Sequence, residues 1–280
     1  MLRLRGSAMH ELKGKVAVVT GGNSGIGRAT CRAMATREVR AIAVVDRDSA
    51  VIEFCQSSNA EAERELFFPF IGDVTDVAFR RDTFARLKKQ FGVVNVCVPA
   101  AGIVRDALSV KVDKDSGHPE LYPVDLFRQT LELNLLAATY WALETVSAVA
   151  EERSARKAGK WTPQEPIQGA ICFIGSVSSA GNRGQISYAA SKAALEAVSS
   201  TLAKEAIFYG VRCAIIHPGF TDTPMLGAMG REYLETKILP NTQLQRLLRP
   251  EEIAEGIVFL LQNPAISGAL WVDAGWHPAA

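Results

Sequence analysis

Apolar and polar positions along this chain fall into blocks that switch between two periods. Lys15–Thr20 (KVAVVT), Arg40–Val45 (RAIAVV), Leu66–Ile71 (LFFPFI), Val93–Val98 (VVNVCV), Ala170–Ile174 (AICFI), Arg212–Ile216 (RCAII) and Ala269–Val272 (ALWV) are short, nearly continuous apolar runs. Such runs suit strands buried on both faces. Between them lie segments with helical spacing: Arg28–Thr36, Ser49–Glu65, Asp76–Phe91, Leu126–Ala150, Tyr188–Tyr209 and Pro250–Leu261. Phe79, Phe84 and Leu87 mark the buried face of the third helix, and Pro250 opens the last one in its first turn. Strands alternating with amphipathic helices predict βαβ units: an α/β, doubly wound, Rossmann-type parallel sheet of about seven strands in three α/β/α layers.

No repeat, low-complexity tract or linker interrupts this rhythm, so residues 14–280 read as one domain behind a flexible leader, 1–13. The leader is basic without an apolar h-region, which excludes a secretory signal; a weak organelle address is the alternative to a short disordered leader with initiation at Met9. Two polar stretches, Val104–Val124 and Glu151–Gln168, read as surface insertions. A third, about 223–247, carries Met225, Leu226, Met229, Tyr233, Leu234, Ile238 and Leu239 and reads as a mobile substrate lid.

Composition narrows the class. The 280 residues are 48% apolar and 22% charged with a net charge of +1, so no global field points to nucleic acid or membrane. No apolar run reaches the 18 or so residues of a membrane span. The five cysteines are scattered, without C-x-x-C spacing or paired histidines, which argues against a metal site and for a reducing, cytoplasmic setting.

Chemistry enters at two places. After the first strand comes Gly21-Gly22-Asn23-Ser24-Gly25-Ile26-Gly27. Gly21 can make a tight turn, Gly25 lets backbone approach a pyrophosphate, and Gly27 allows close helix–strand packing, with the next helix aiming its N-terminal N–H groups at phosphates. Asp46 ends the second strand, where a carboxylate can accept from adenosine ribose hydroxyls and repel a 2′-phosphate; this favours NAD over NADP. Arg47 is the opposing signal. Asp73 ends the third strand, either facing an adenine amino group or capping the next helix. Farther on, Tyr188 and Lys192 stand i, i+4 on one helical face. A phenol normally titrates near 10, and a neighbouring ammonium lowers that value, so the pair can exchange a proton with an alcohol or carbonyl.

Phe173–Leu195 (FIGSVSSAGNRGQISYAASKAAL) joins strand, serine- and glycine-rich loop and Tyr/Lys helix. With TGGNSGIG, Asp46, GDV at 72–74, AAG at 100–102, Asn134, PGFTDT at 218–223 and VDAG at 272–275, it resembles the short-chain dehydrogenase/reductase family from about Leu12 to about Gly275. The resemblance implies Tyr188 as acid/base, Lys192 as its pKa-lowering and ribose-binding partner, Ser176 on the reacting oxygen and Asn134 in a proton relay. It implies a dinucleotide site from Gly21, Asn23, Ser24, Gly25, Ile26, Gly27, Asp46, Arg47, Asp73, Val74, Ala101 and Gly102, closed by Pro218, Gly219, Thr221 and Thr223 on the carboxamide side. It further implies a homodimer or homotetramer assembled through the two long helices.

Two departures stand out. The family usually has Asn-Asn-Ala-Gly after the fourth strand, whereas this chain has Pro99-Ala100-Ala101-Gly102. Ser176 precedes Tyr188 by 12 residues, one fewer than the common spacing, which leaves Ser178 as an alternative. The expectation is an NAD(H)-dependent oxidoreductase of secondary alcohols and ketones acting on a small molecule. The alternatives are an NADPH-dependent carbonyl reductase on the same fold and a non-catalytic dinucleotide sensor. His217 reads as a packed strand-end residue.

Overall fold

The computed structural model describes residues 12–227 and 230–276. The predicted strands all form: β1 (Val16–Thr20), β2 (Ala41–Asp46), β3 (Phe67–Ile71), β4 (Val94–Pro99), β7 (Gly169–Ile174), β8 (Val211–Pro218) and β9 (Gly268–Val272). They make a single parallel sheet in the order β3-β2-β1-β4-β7-β8-β9. After β3 the chain crosses to the far side of β1, so the order reverses between β1 and β4. In open α/β sheets that reversal opens a crevice at the carboxyl ends of the strands.

The side-chain period of two divides the core. Ala17 and Val19 of β1 face one layer, with Cys31 and Met34 of α1 (Gly25–Ala35), Phe54 of α2 (Val51–Glu61) and Ile253 and Ile257 of α9 (Pro250–Gln262). Val16 and Val18 face the other, with Leu87 of α3 (Val77–Phe91), Trp141 of α5 (Ala138–Ala155) and Leu195 of α6 (Ile186–Glu205). Burying both faces explains why β1 and β7 are apolar at nearly every position. Leu12, assigned from sequence to the leader, is 1% exposed and packs into the first layer, so the ordered chain starts before residue 14. Residues 1–11 of that leader lie outside the described residues.

The helix expected at 126–150 is longer and less regular. It starts as α4 (Val124–Leu131), passes through a π-helical turn at Glu132–Ala137 and continues as α5 to Ala155. The first residues of the second expected insertion are therefore helix. The rest of that insertion is tied down by Arg153, 2% exposed, which donates to Glu165 Oε2 at 2.6 Å and to Gly159 O at 2.7 Å. The first insertion is a surface hairpin, β5 (Val110–Val112) antiparallel to β6 (Pro119–Leu121). Its base is anchored by Tyr122, whose hydroxyl lies 2.6 Å from Arg105 O and 2.8 Å from Ser187 Oγ.

Candidate active site

Two clefts meet at the carboxyl edge of the sheet. The first, about 380 Å³, is lined by Gly21, Ser24, Gly25, Ile26 and Gly27 of the β1–α1 turn, by Asp46 and Arg47 after β2, by Asp73 and Val74 after β3, and by Ala101, Gly102 and Thr223. Asn23 is the member of that expected set outside the lining; its backbone N–H instead donates to Asp46 Oδ2 at 3.1 Å. The N–H of Asp48 holds the other carboxylate oxygen at 3.1 Å, so Asp46 is clamped at the cleft rim. Arg47 beside it is exposed. The turn is sterically closed to larger residues: a Cβ on Gly27 would lie 2.2 Å from Gly21 O. Asp73 does not cap α3. Its Oδ1 accepts from Thr75 N and Oγ1, while Asp76 caps the helix through Ala78 N and Phe79 N.

The crossing where the asparagines are missing is held through its backbone. Pro99 ends β4, Ala100 N–H donates to Thr20 O at 3.1 Å, and Ala101 N–H donates to Thr20 Oγ1 at 3.2 Å. Thr20 thus takes up the backbone of this crossing without a side-chain amide.

The second cleft, about 630 Å³, shares Ile26, Ala100, Gly102, Ile103, Thr223, Pro224 and Met225 with the first. It gathers Ser176, Tyr188, Lys192, Pro218, Gly219 and Thr221 from β7, α6 and the turn after β8. Ser176 rather than Ser178 faces the phenol: the Ser176 side chain pulls the Tyr188 pKa down. Ser178 is turned away, donating to Gln185 Oε1 at 2.8 Å. Lys192 Nζ donates to Ile174 O at 2.8 Å and lies 5.7 Å from the centre of the Tyr188 ring. Burial pulls Lys192 down to about 8. Burial also pushes the Tyr188 phenol above its ordinary value of 10, with the Ser176 side chain pulling the other way. Loss of water sets the net direction in the cleft, where the ammonium makes its short hydrogen bond to a carbonyl.

Asn134 sits behind the cleft rather than in it, 1% exposed in the π-helical turn. Its amide pairs with both backbone groups of Ile103, accepting at 2.8 Å and donating at 2.9 Å, and reaches Ser191 Oγ at 3.2 Å. Ser191 in turn donates to Tyr188 O at 2.7 Å.

Asp106, Gln185 and Phe220 line the second cleft without having been singled out in the sequence, beside Met225 and Leu226 of the expected lid. Gln185 accepts from Ser178 and Asn182 and donates to Asp106 Oδ2 at 2.9 Å. Burial raises Asp106 from the usual carboxylate range, against the Gln185 hydrogen bond. Phe220, Met225 and Leu226 form an apolar wall. Gln185 lies three residues before Tyr188, a signal helical spacing could have offered. Phe220 lies within the PGFTDT stretch, but its place in the wall depends on how the turn after β8 folds back. Of the expected lid, Thr223–Leu226 line the clefts, Met229 lies outside the described residues, and Tyr233, Leu234, Ile238 and Leu239 are not among the lining residues.

Comparison with known proteins agrees with this architecture. The family model described as short chain dehydrogenase matches residues 15–233. Carbonyl reductase family member 4 of Xenopus tropicalis is 32% identical over 263 residues, covering 93% of this chain and 97% of that protein. The 3-oxoacyl-[acyl-carrier-protein] reductase of Homo sapiens is also 32% identical over 263 residues, with the same coverage. Among solved structures, a Beutenbergia cavernae protein described as a putative NAD(P)-dependent gluconate 5-dehydrogenase, with NADP bound at low occupancy, superposes with a TM-score of 0.78 at 26% identity, covering 95% of this chain and 98% of that one. A short-chain type dehydrogenase/reductase from Mycobacterium marinum superposes at 0.77 with 22% identity, covering 95% of this chain and 96% of that one, and shares the fold. Strand order, paired clefts and these matches lead to one conclusion: the chain belongs to the short-chain dehydrogenase family of NAD(P)-dependent oxidoreductases.

Proposed function

We propose that this protein interconverts a secondary alcohol and its ketone by hydride exchange with NAD(H), using Tyr188 as the acid/base. The observation that carries the reading is the meeting of Ser176, Tyr188 and Lys192 in a cleft continuous with one that ends at Asp46. The residues fit a dinucleotide. The glycine turn leaves no room for side chains, and the clamped Asp46 carboxylate presents acceptors where ribose hydroxyls would lie. A bound nicotinamide would supply or take the hydride.

The chain's own residues do the rest. A phenol held above 10 keeps its proton at neutral pH, so Tyr188 donates to a carbonyl oxygen in the reductive direction. Ser176 Oγ orients that oxygen. The Lys192 ammonium stabilises the phenolate left behind, and Asn134 fixes the Ile103 and Ser191 side of the relay. The cleft sets a polar wall of Asp106, Gln185 and Ser178 against an apolar wall of Phe220, Met225 and Leu226. That pairing suits a moderately apolar ketone bearing a hydrogen-bond donor.

A second reading, NADPH-dependent carbonyl reduction, is favoured by exposed Arg47 at the rim of the first cleft and by the reductase names of the relatives. Calorimetric titration with NAD⁺, NADH, NADP⁺ and NADPH separates the two. Tighter NAD(H) binding that is lost in Asp46→Ala supports the first, and tighter NADP(H) binding overturns it. Leu136, Tyr140 and Leu143 leave an apolar stripe exposed on the long helix, and we place a homodimer or homotetramer contact there. Among the described residues no helix is long and apolar enough to cross a membrane. Five buried free thiols suit a cytoplasmic setting.

A further inference from the structure

The β7–β8 ladder ends one residue short of Ser176. Gly175 N–H makes the last strand bond, to Ile216 O at 2.7 Å. The next amide, that of Ser176, meets a side chain instead: it lies 3.3 Å from His217 Nδ1. The same nitrogen is 3.1 Å from Ser176 O and 3.4 Å from Ser179 Oγ. The His217 ring is fully buried and stacks on Trp271, centroids 4.2 Å apart and planes at 15°. Its approach depends on Gly175, where a Cβ would fall 2.5 Å from Nδ1.

We propose that His217 is a positioning residue: its ring takes over from the strand ladder, holds the Ser176 backbone from beneath, and thereby sets where the Ser176 hydroxyl meets the reacting oxygen. The inference rests on the reading of Ser176 given above. Two charged groups face the ring, both from α6. Glu196 Oε1 lies 3.7 Å from Nε2, and Lys192 acts on the ring from the cleft side. Burial keeps the imidazole below its ordinary pKa and hence neutral at pH 7. Nδ1 reaches both backbone groups of Ser176, accepting from its N–H in one neutral tautomer and donating to its O in the other, while Nε2 has no hydrogen-bond partner among the described residues and Glu196 at 3.7 Å is too far to supply one. The other bonds to Ser176 come from the turn that follows it, where its O accepts from Ser179 N at 3.0 Å. Ser176 is extended at φ −169°, its Oγ accepts from Ser178 N at 3.0 Å, and a short 3₁₀ turn follows at once.

The test compares His217→Leu, which keeps apolar bulk without a ring nitrogen, with His217→Asn, whose amide returns a polar atom near the Nδ1 position. Ser176→Ala is the control, ethyl acetoacetate with NADH the probe reaction. The expected result is a kcat loss of about tenfold or more in His217→Leu, a KM for NADH within about twofold of wild type, and recovery of most of the loss in His217→Asn. A His217→Leu enzyme with unchanged kcat, beside a Ser176→Ala enzyme that is strongly impaired, overturns the inference and leaves the site reading intact. An unimpaired Ser176→Ala enzyme overturns the site reading itself. Crystal structures of the two His217 variants decide the matter without any ketone. Ser176 Oγ displaced by about 1 Å in His217→Leu and restored in His217→Asn supports positioning; an unmoved Oγ in His217→Leu refutes it.

Discussion

At the scale of single residues, the site is governed by what water leaves behind. Lys192 is 5% exposed and titrates near 8, against 10.5 when solvated. A cation with a lowered folded pKa is a burden on the fold. Below about pH 8 the buried ammonium carries its full cost, at most about 3 kcal/mol. Between about 8 and 10.5 the unfolded chain binds the proton more tightly, so stability rises with pH across that window. Lys192→Met is therefore expected to unfold no earlier than wild type at pH 7 while losing turnover. Its thermal advantage should shrink from about pH 8 to 10.5, which scanning calorimetry at several pH values checks. A Lys192→Met variant markedly less stable than wild type at pH 7 would show that the Ile174 hydrogen bond outweighs desolvation. Tyr188→Phe is a cleaner excision, since the ring and its packing remain. We expect a loss of roughly 10²- to 10⁴-fold in kcat with NADH affinity unchanged, read by steady-state kinetics and cofactor titration. Activity equal to wild type would move the proton-transfer centre elsewhere.

Elements explain how distant residues reach the site. The π-helical turn at Glu132–Ala137 interrupts the long helix where Asn134 must pair with both backbone groups of Ile103. At the far end of the sheet, Arg212 on β8 does comparable work for α9. Its guanidinium donates to Leu260 O, Leu261 O, Asn263 O and Ile266 O, taking up carbonyls that the helix end leaves unpaired. Arg212→Met leaves those groups buried without a donor and is expected to cost about 2–4 kcal/mol of stability with kcat preserved. Denaturant melts and kinetics of the variant test this, and an unchanged midpoint would mean that water caps the helix equally well.

Across the whole molecule, the sheet order places both clefts at one edge, because the crossover after β3 leaves the carboxyl ends of β1 and β4 side by side without a connection over them. The opposite problem is the long helix, which leaves Leu136, Tyr140 and Leu143 exposed on one face. If that face is the subunit contact, Leu143→Glu should halve the mass seen by sedimentation equilibrium. An unshifted mass would remove this stripe from the assembly.

Much of this was legible in the chain because it depends on neighbours in sequence. Residue period separates strand from helix; continuous apolar runs announce a sheet covered on both faces; glycine at 21, 25 and 27 announces a turn that side chains cannot enter; and i, i+4 spacing puts Tyr188 and Lys192 on one helical face. These properties are local, so seven strands, their alternation with helices and most of the site follow from residue order alone. Other features required the folded molecule, since they depend on groups far apart in sequence and on the water that packing removes. Tertiary contact turned Ser178 toward Gln185 while Ser176 faces the phenol, set Thr20 against the backbone of Ala100 and Ala101, and drew Leu12 into the core. It also set His217 beneath Gly175 and gave the Tyr188 phenol its net upward shift, because desolvation is decided by what surrounds a group and not by what precedes it in the chain.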